Sequence, residues 1–129
     1  MSALTRAIAE QTVTQLGFSV AQAATFSTTP VDISDYEGLV AIHQIVTAAT
    51  GAQTLAGIIQ TSDDVNFVTG VVQLGAAFPT FTASALGAQN RILVDTNAAK
   101  RYVRYNGTVA GSTPSFTACI LLTGSKKVQ

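Results

Sequence analysis

The stretch IIQTSDDVNFVTGVVQL, residues 58–74, decides how this chain is read. Two apolar runs flank Thr61-Ser62-Asp63-Asp64-Val65-Asn66. Asp63 and Asp64 are either a catalytic or metal-binding pair of acids, or the polar tip of a β-hairpin. Neighbouring residues on an extended chain point to opposite faces, whereas a two-carboxylate catalytic site needs its acids on facing elements at a separation set by the chemistry. A helix–loop–helix calcium site needs oxygens at regular spacing and a distal Glu, and none follows. Ser, Asp and Asn favour tight turns because their side chains bond nearby backbone amides. The stretch therefore predicts a strand over 54–61, a turn at 62–66 and a second strand over 67–74.

Working outward, the same pattern recurs. LVAIHQIVTAAT (39–50) is rich in β-branched residues and bounded by Gly38 and Gly51, which predicts a buried strand. RILVDT (91–96), RYVRYNGTV (101–109) and SFTACILLTG (115–124) predict three more. In RYVRYNGTV, Tyr102, Arg104 and Asn106 alternate with Val103 and Tyr105, a period of two. AAFPTFTASALGAQ (76–89), with Pro79 and small residues, reads as loop, and TTPVDISDYEG (28–38) as a turn-rich entry to the strand at Leu39. TRAIAEQTVTQLG (5–17) allows helix at its start and strand at its end, and reads as an extended arm with a strand near 13–20. Short strands with turn signals every eight to twelve residues predict an all-β fold, an antiparallel β-sandwich or jelly-roll-like domain. Residues 1–27 are expected to form an extended N-terminal arm with the first strand, and residues 28–129 the sandwich. No N-terminal apolar segment resembles a secretion signal, and no run of 18 apolar residues predicts a membrane span.

At 129 residues the chain has one domain's length. A compact chain of this mass keeps about 6,500 Å² accessible of roughly 19,000 Å² unfolded, enough core to fold without staples. Charged residues are 11%, against about 25% in typical domains. So few charges imply that part of the surface is covered by other copies or another protein. The charges are also lopsided. Residues 1–64 hold six acids against Arg6, net −5, and residues 65–129 hold six bases against Asp95, net +5. Interleaving of the halves in a sandwich would erase that asymmetry.

Other candidate sites are weak. His43 is the single histidine and lies inside an apolar run, so it reads as a core or interface residue bonded to backbone, and one His with one Cys gives zinc no shell. Cys119, in FTACILL, excludes an intramolecular disulfide and reads as an inert core thiol. Asp32, Asp35 and Glu37 cluster within six residues but read as a solvated loop rather than a cation site. Lys100, Arg101 and Arg104 interleave with Tyr102 and Tyr105, as in single-strand nucleic-acid binders, yet nothing extends that patch and net charge is zero. These basic side chains are expected to meet acids on a neighbouring copy. Gly51, Gly57, Gly70, Gly75 and Gly87 lack the spacing of a phosphate loop. The expectation is a chain with no catalytic residue, cofactor or metal, and no nucleic-acid or membrane partner.

TLAGIIQTSDDVNFVTG (54–70) resembles a strand–turn–strand unit that brings Phe67 onto its second strand, and VDTNAAKRYVRYNGTVAGSTPSFTACILLTGSKK (94–127) resembles the C-terminal half of small structural proteins of tailed-bacteriophage heads. In the second segment Asp95 is followed by Lys100-Arg101-Tyr102-Val103-Arg104, a Gly/Thr/Pro turn and a last strand ending in Gly and Lys. The resemblance covers roughly 31–127. It implies a capsid decoration or cement protein, made in the host cytoplasm and bound to the capsid exterior of the virion. Its implied partners are the major capsid protein and its own copies, as a trimer rather than a dimer. Arg6 of the arm, Asp32, Asp35 and Glu37 of the 28–38 loop, and Arg101 and Arg104 are the expected interface residues. The alternatives are a tail, connector or head-fibre component, and a carbohydrate- or host-binding sandwich module, for which Tyr36, Tyr102 and Tyr105 offer few stacking platforms.

Overall fold

Alternation of apolar and polar residues governs the architecture, because each strand must bury one face and leave the other to solvent or a partner. The computed structural model describes residues 11–18, 25–50, 53–82, 89–111 and 115–127. Its strands are β1 (Gln11–Phe18), β2 (Phe26–Ser27), β3 (Val31–Asp32), β4 (Tyr36–Thr50), β5 (Gln53–Ser62), β6 (Val72–Gln73), β7 (Phe81–Thr82), β8 (Gln89–Asp95), β9 (Tyr102–Gly111) and β10 (Ser115–Lys126). Among the described residues there is no helix.

The strands form two antiparallel sheets. One has the order β1-β10-β4-β8. The other has the order β2-β9-β5-β6, with β3 also on β9 and β7 also on β5. The chain is an antiparallel β-sandwich. Strands of the acidic half, β4 and β5, lie beside strands of the basic half, β8, β9 and β10, so the two halves do not separate in space.

The core is built by parity. On β4, Val40, Ile42, Gln44 and Val46 are buried, and on β10 Phe116, Ala118, Ile120 and Leu122 join them. The opposite sheet contributes Leu55 and Ile59 of β5 and Val103 and Tyr105 of β9. Phe81 meets Phe116 edge-on across the interior, ring centroids 5.7 Å apart.

A polar contact joins the two sheets through this core. The Tyr105 hydroxyl on β9 donates to Gln44 Oε1 on β4 at 2.6 Å, and both side chains are fully buried. The ring lies between Phe26 and Phe78, and burial pushes the phenol's pKa up, so it stays a donor. Gly57 of β5 makes room for it: a Cβ there would stand 2.6 Å from two Tyr105 ring carbons and would also meet the hydroxyl. Gln44 Nε2 has no hydrogen-bond partner among the described residues.

Several strands differ from expectation. The strand expected from Leu39 begins at Tyr36, whose ring is buried in the core. Val31–Asp32, expected as turn, pairs with Val103 and Tyr102. Within the expected loop 76–89, Phe81–Thr82 pairs with β5, and residues 83–88 lie outside the described residues. The second strand of the opening hairpin shrinks from 67–74 to Val72–Gln73, opposite Thr61 and Gln60. Cys119 is not a core thiol: Ala118 and Ile120 take the buried face and Cys119 is half-buried on the other. His43 is likewise half-buried, and its partner is the Thr123 hydroxyl at 3.2 Å rather than backbone.

Gly57→Ala is expected to cost about 3 kcal/mol or more, because the ring it would strike has nowhere to go. Tyr105→Phe is expected to cost about 1–3 kcal/mol by stranding Gln44, and adding Gln44→Met should recover most of that loss. Urea denaturation midpoints of the variants check all three.

Candidate functional site

At one end of the sandwich the β3–β4 segment, the β5–β6 loop, the β8–β9 loop and the end of β10 surround a cleft of about 330 Å³. Glu37, Asp63, Lys100, Arg101 and Lys127 give it mixed charge.

The β5–β6 loop is held by Asp64. Its carboxylate accepts backbone N–H bonds from Asn66 (2.9 Å), Val68 (3.0 Å) and Thr69 (3.3 Å). The Asn66 bond, then those of Val68 and Thr69, hold its pKa below the ordinary 3.8. Ser62 closes the loop base, accepting from the Asp64 amide and donating to the Thr69 carbonyl at 2.7 Å. These bonds draw residues 66–69 away from the ladder, which is why the second strand is short. They also hold Phe67 at φ 53, a conformation that costs a bulky residue about 1–2 kcal/mol. Burial of its ring and the Arg104 guanidinium, 4.3 Å above the ring centroid, offset that cost.

Neighbouring segments lock onto this loop. Lys100 Nζ donates to the Gly70 carbonyl at 2.6 Å, and the Lys100 amide donates to Thr61 Oγ1 at 2.8 Å. The Arg101 amide donates to Asp63 Oδ1, and Arg101 Nε donates to Asp32 Oδ2 at 3.0 Å. Asp32 is held below its ordinary pKa by Ser34, first through its side chain and then its amide, and also by Arg101. This ion pair is solvent-exposed, so it orients side chains more than it stabilises the fold.

The expected interface residues are thus placed as follows. Asp32 and Arg101 pair within the chain, Glu37 lines the same cleft, and Asp35 takes the Lys127 amide on its backbone carbonyl. Arg104 lies on the outer face of β9, bonded to Gln60 Oε1 and stacked on Phe67, and so it is engaged within its own chain. Arg6 lies outside the described residues. Tyr105 points into the core, so the interleaved Arg/Tyr patch is not a stacking platform; only Tyr102 faces outward, under Arg101. Asp63 and Asp64 are turn residues with separate roles, one capping β9 and the other caging the loop. Sequence reasoning missed Val65 and Val68, which the caged loop presents to solvent, Val68 at 78% exposure.

Among the described residues no group of three or more His, Cys, Asp or Glu could hold a metal ion, and no helix is long and apolar enough to cross a membrane. No protein-family model matches the chain, and no curated protein matches it significantly.

Because the Asp64 carboxylate's pKa is lowered by the fold, its contribution is fully present above the ordinary 3.8 and is lost as pH falls through the lowered value. Amide hydrogen exchange at Asn66, Val68 and Thr69 should therefore accelerate, relative to the core, below that pH. Asp64→Ala should show the fast exchange already at neutral pH.

Proposed function

We propose that this chain is a virion structural protein of a tailed bacteriophage, a decoration or cement protein that binds the outer surface of the head and bridges neighbouring capsomers. The loop end is the docking surface in this reading. The observation that carries it is the caged β5–β6 loop, which holds Val65 and Val68 out in solvent beside a cleft of mixed charge. Exposed apolar residues on a pre-ordered loop favour a protein partner, because little conformational entropy remains to be lost on binding. The alternating charges of the cleft rim would supply register rather than affinity. The resemblance to phage head proteins spans the region from β3 to the end of β10, and the low charge of the chain suits a protein whose faces become covered.

Quantitative mass spectrometry of purified virions tests the reading. Decoration of the lattice requires a copy number equal to that of the major capsid protein or a simple fraction of it. A few copies per particle would assign the chain to the tail or connector, and absence from virions would favour the host-binding module. Val68→Asp should reduce binding to undecorated heads by about tenfold or more while leaving the thermal midpoint nearly unchanged, since a hot-spot truncation costs at least about 1–2 kcal/mol.

A further inference from the structure

We propose that β8 is a self-association strand, pairing antiparallel with β8 of a second copy of this chain about a twofold axis through Leu93. This goes beyond the docking surface above and departs from the threefold assembly that the resemblance implies.

β8 is an outer strand of its sheet, paired on one side with β4 and, among the described residues, with nothing on the other. The Thr96 amide donates to the Gly38 carbonyl at 3.0 Å, in step with the pairs Leu39–Asp95 and Ala41–Leu93. Even-numbered residues of β8 therefore turn their backbone groups to β4, and the odd-numbered ones turn theirs to the open edge. An open row of this kind is a template for another strand.

The side chains of the odd-numbered residues say which strand it takes. Gln89, Arg91, Leu93 and Asp95 all lie on the outer face, and Leu93 is 54% exposed. Arg91 and Asp95 are four residues apart, roughly 13–14 Å along an extended strand, too far to pair within it. Arg91 has no ion pair among the described residues, while the Asp95 carboxylate takes only the Asn97 amide at 2.8 Å. An antiparallel copy centred on Leu93 sets Arg91 opposite the partner's Asp95, and by symmetry Asp95 opposite the partner's Arg91. Leu93 meets its own counterpart on the axis. Residues so placed are hydrogen-bonded pairs, with Cα atoms about 5.5 Å apart. The four-stranded sheets of both copies become one continuous sheet, and an isologous contact of this kind closes at two.

Analytical ultracentrifugation of the full chain over a concentration series tests this. A monomer–dimer equilibrium is expected. Arg91→Glu and Asp95→Arg should each weaken it by about tenfold, since every dimer then carries two like-charge pairs. The Arg91→Glu/Asp95→Arg double variant should restore it, because the charges are then only exchanged across the axis. In a Cys119→Ser background, Leu93→Cys should oxidise to a covalent dimer, as the expected Cα separation lies within the disulfide range. A monomer at every concentration up to the solubility limit, a trimer, or a dimer indifferent to both charge reversals and uncrosslinked by Leu93→Cys would overturn the proposal. Circular dichroism of each variant separates loss of pairing from loss of fold.

Discussion

The rest of the structure is arranged around a buried tyrosine that reaches from one sheet to the other. Tyr105 leaves β9, passes the space left by Gly57 and donates its hydroxyl to Gln44 on β4. A large ring standing across the interior sets the separation of the sheets locally, and only a residue without a Cβ tolerates it on the neighbouring strand. Thr28 holds the same residue from the sheet's edge: its amide donates to the Tyr105 carbonyl, and its hydroxyl accepts the Tyr105 amide, both at 2.9 Å. A buried polar bond adds little net stability, but it penalises any register in which donor and acceptor fail to meet.

That register carries through to the loop end. With β5 and β9 aligned so that Gly57 faces Gly107, Thr61 lies beside Val103 and Ser62 beside Tyr102. Thr61 then donates its hydroxyl to the Tyr102 carbonyl and receives the Lys100 amide, while Asp63 receives the Arg101 amide. The order of the cleft is thus inherited from the core rather than generated by its own charges. Its exposed ion pair is individually weak, and its rigidity comes from backbone amides collected by buried or caged oxygens. A surface built this way presents fixed geometry, and its acids and bases largely offset one another in the field they project.

Much of the fold is legible in the residues, and the failures have physical causes. RYVRYNGTV announces its faces, because one side is apolar and the other polar; Tyr105 goes in and Arg104 goes out as the period requires. FTACILL is apolar on both faces, so nothing local says that Ala118 and Ile120 rather than Cys119 turn inward. Pairing of Ala118 with Val46 and of Ile120 with Gln44 decided that. SDDVNF announced a turn through its Asx chemistry, but the length of that turn depended on Asp64 gathering amides as far as Thr69 and on Phe67 finding Arg104, 37 positions away.

By itself the sequence determined the all-β class, the positions of the long strands and the turn role of Asp63 and Asp64. Each of these follows from interactions within a few residues: alternation, β-branching and side-chain bonds to nearby amides. Only the tertiary structure decided which strands are neighbours, which apolar face is the core and which charges are spent inside the chain. Those outcomes depend on contacts between residues far apart in the chain, 80 positions for His43 and Thr123 and 69 for Asp32 and Arg101. A period of two assigns a residue to a face, but it carries no information about which residue waits on the other side.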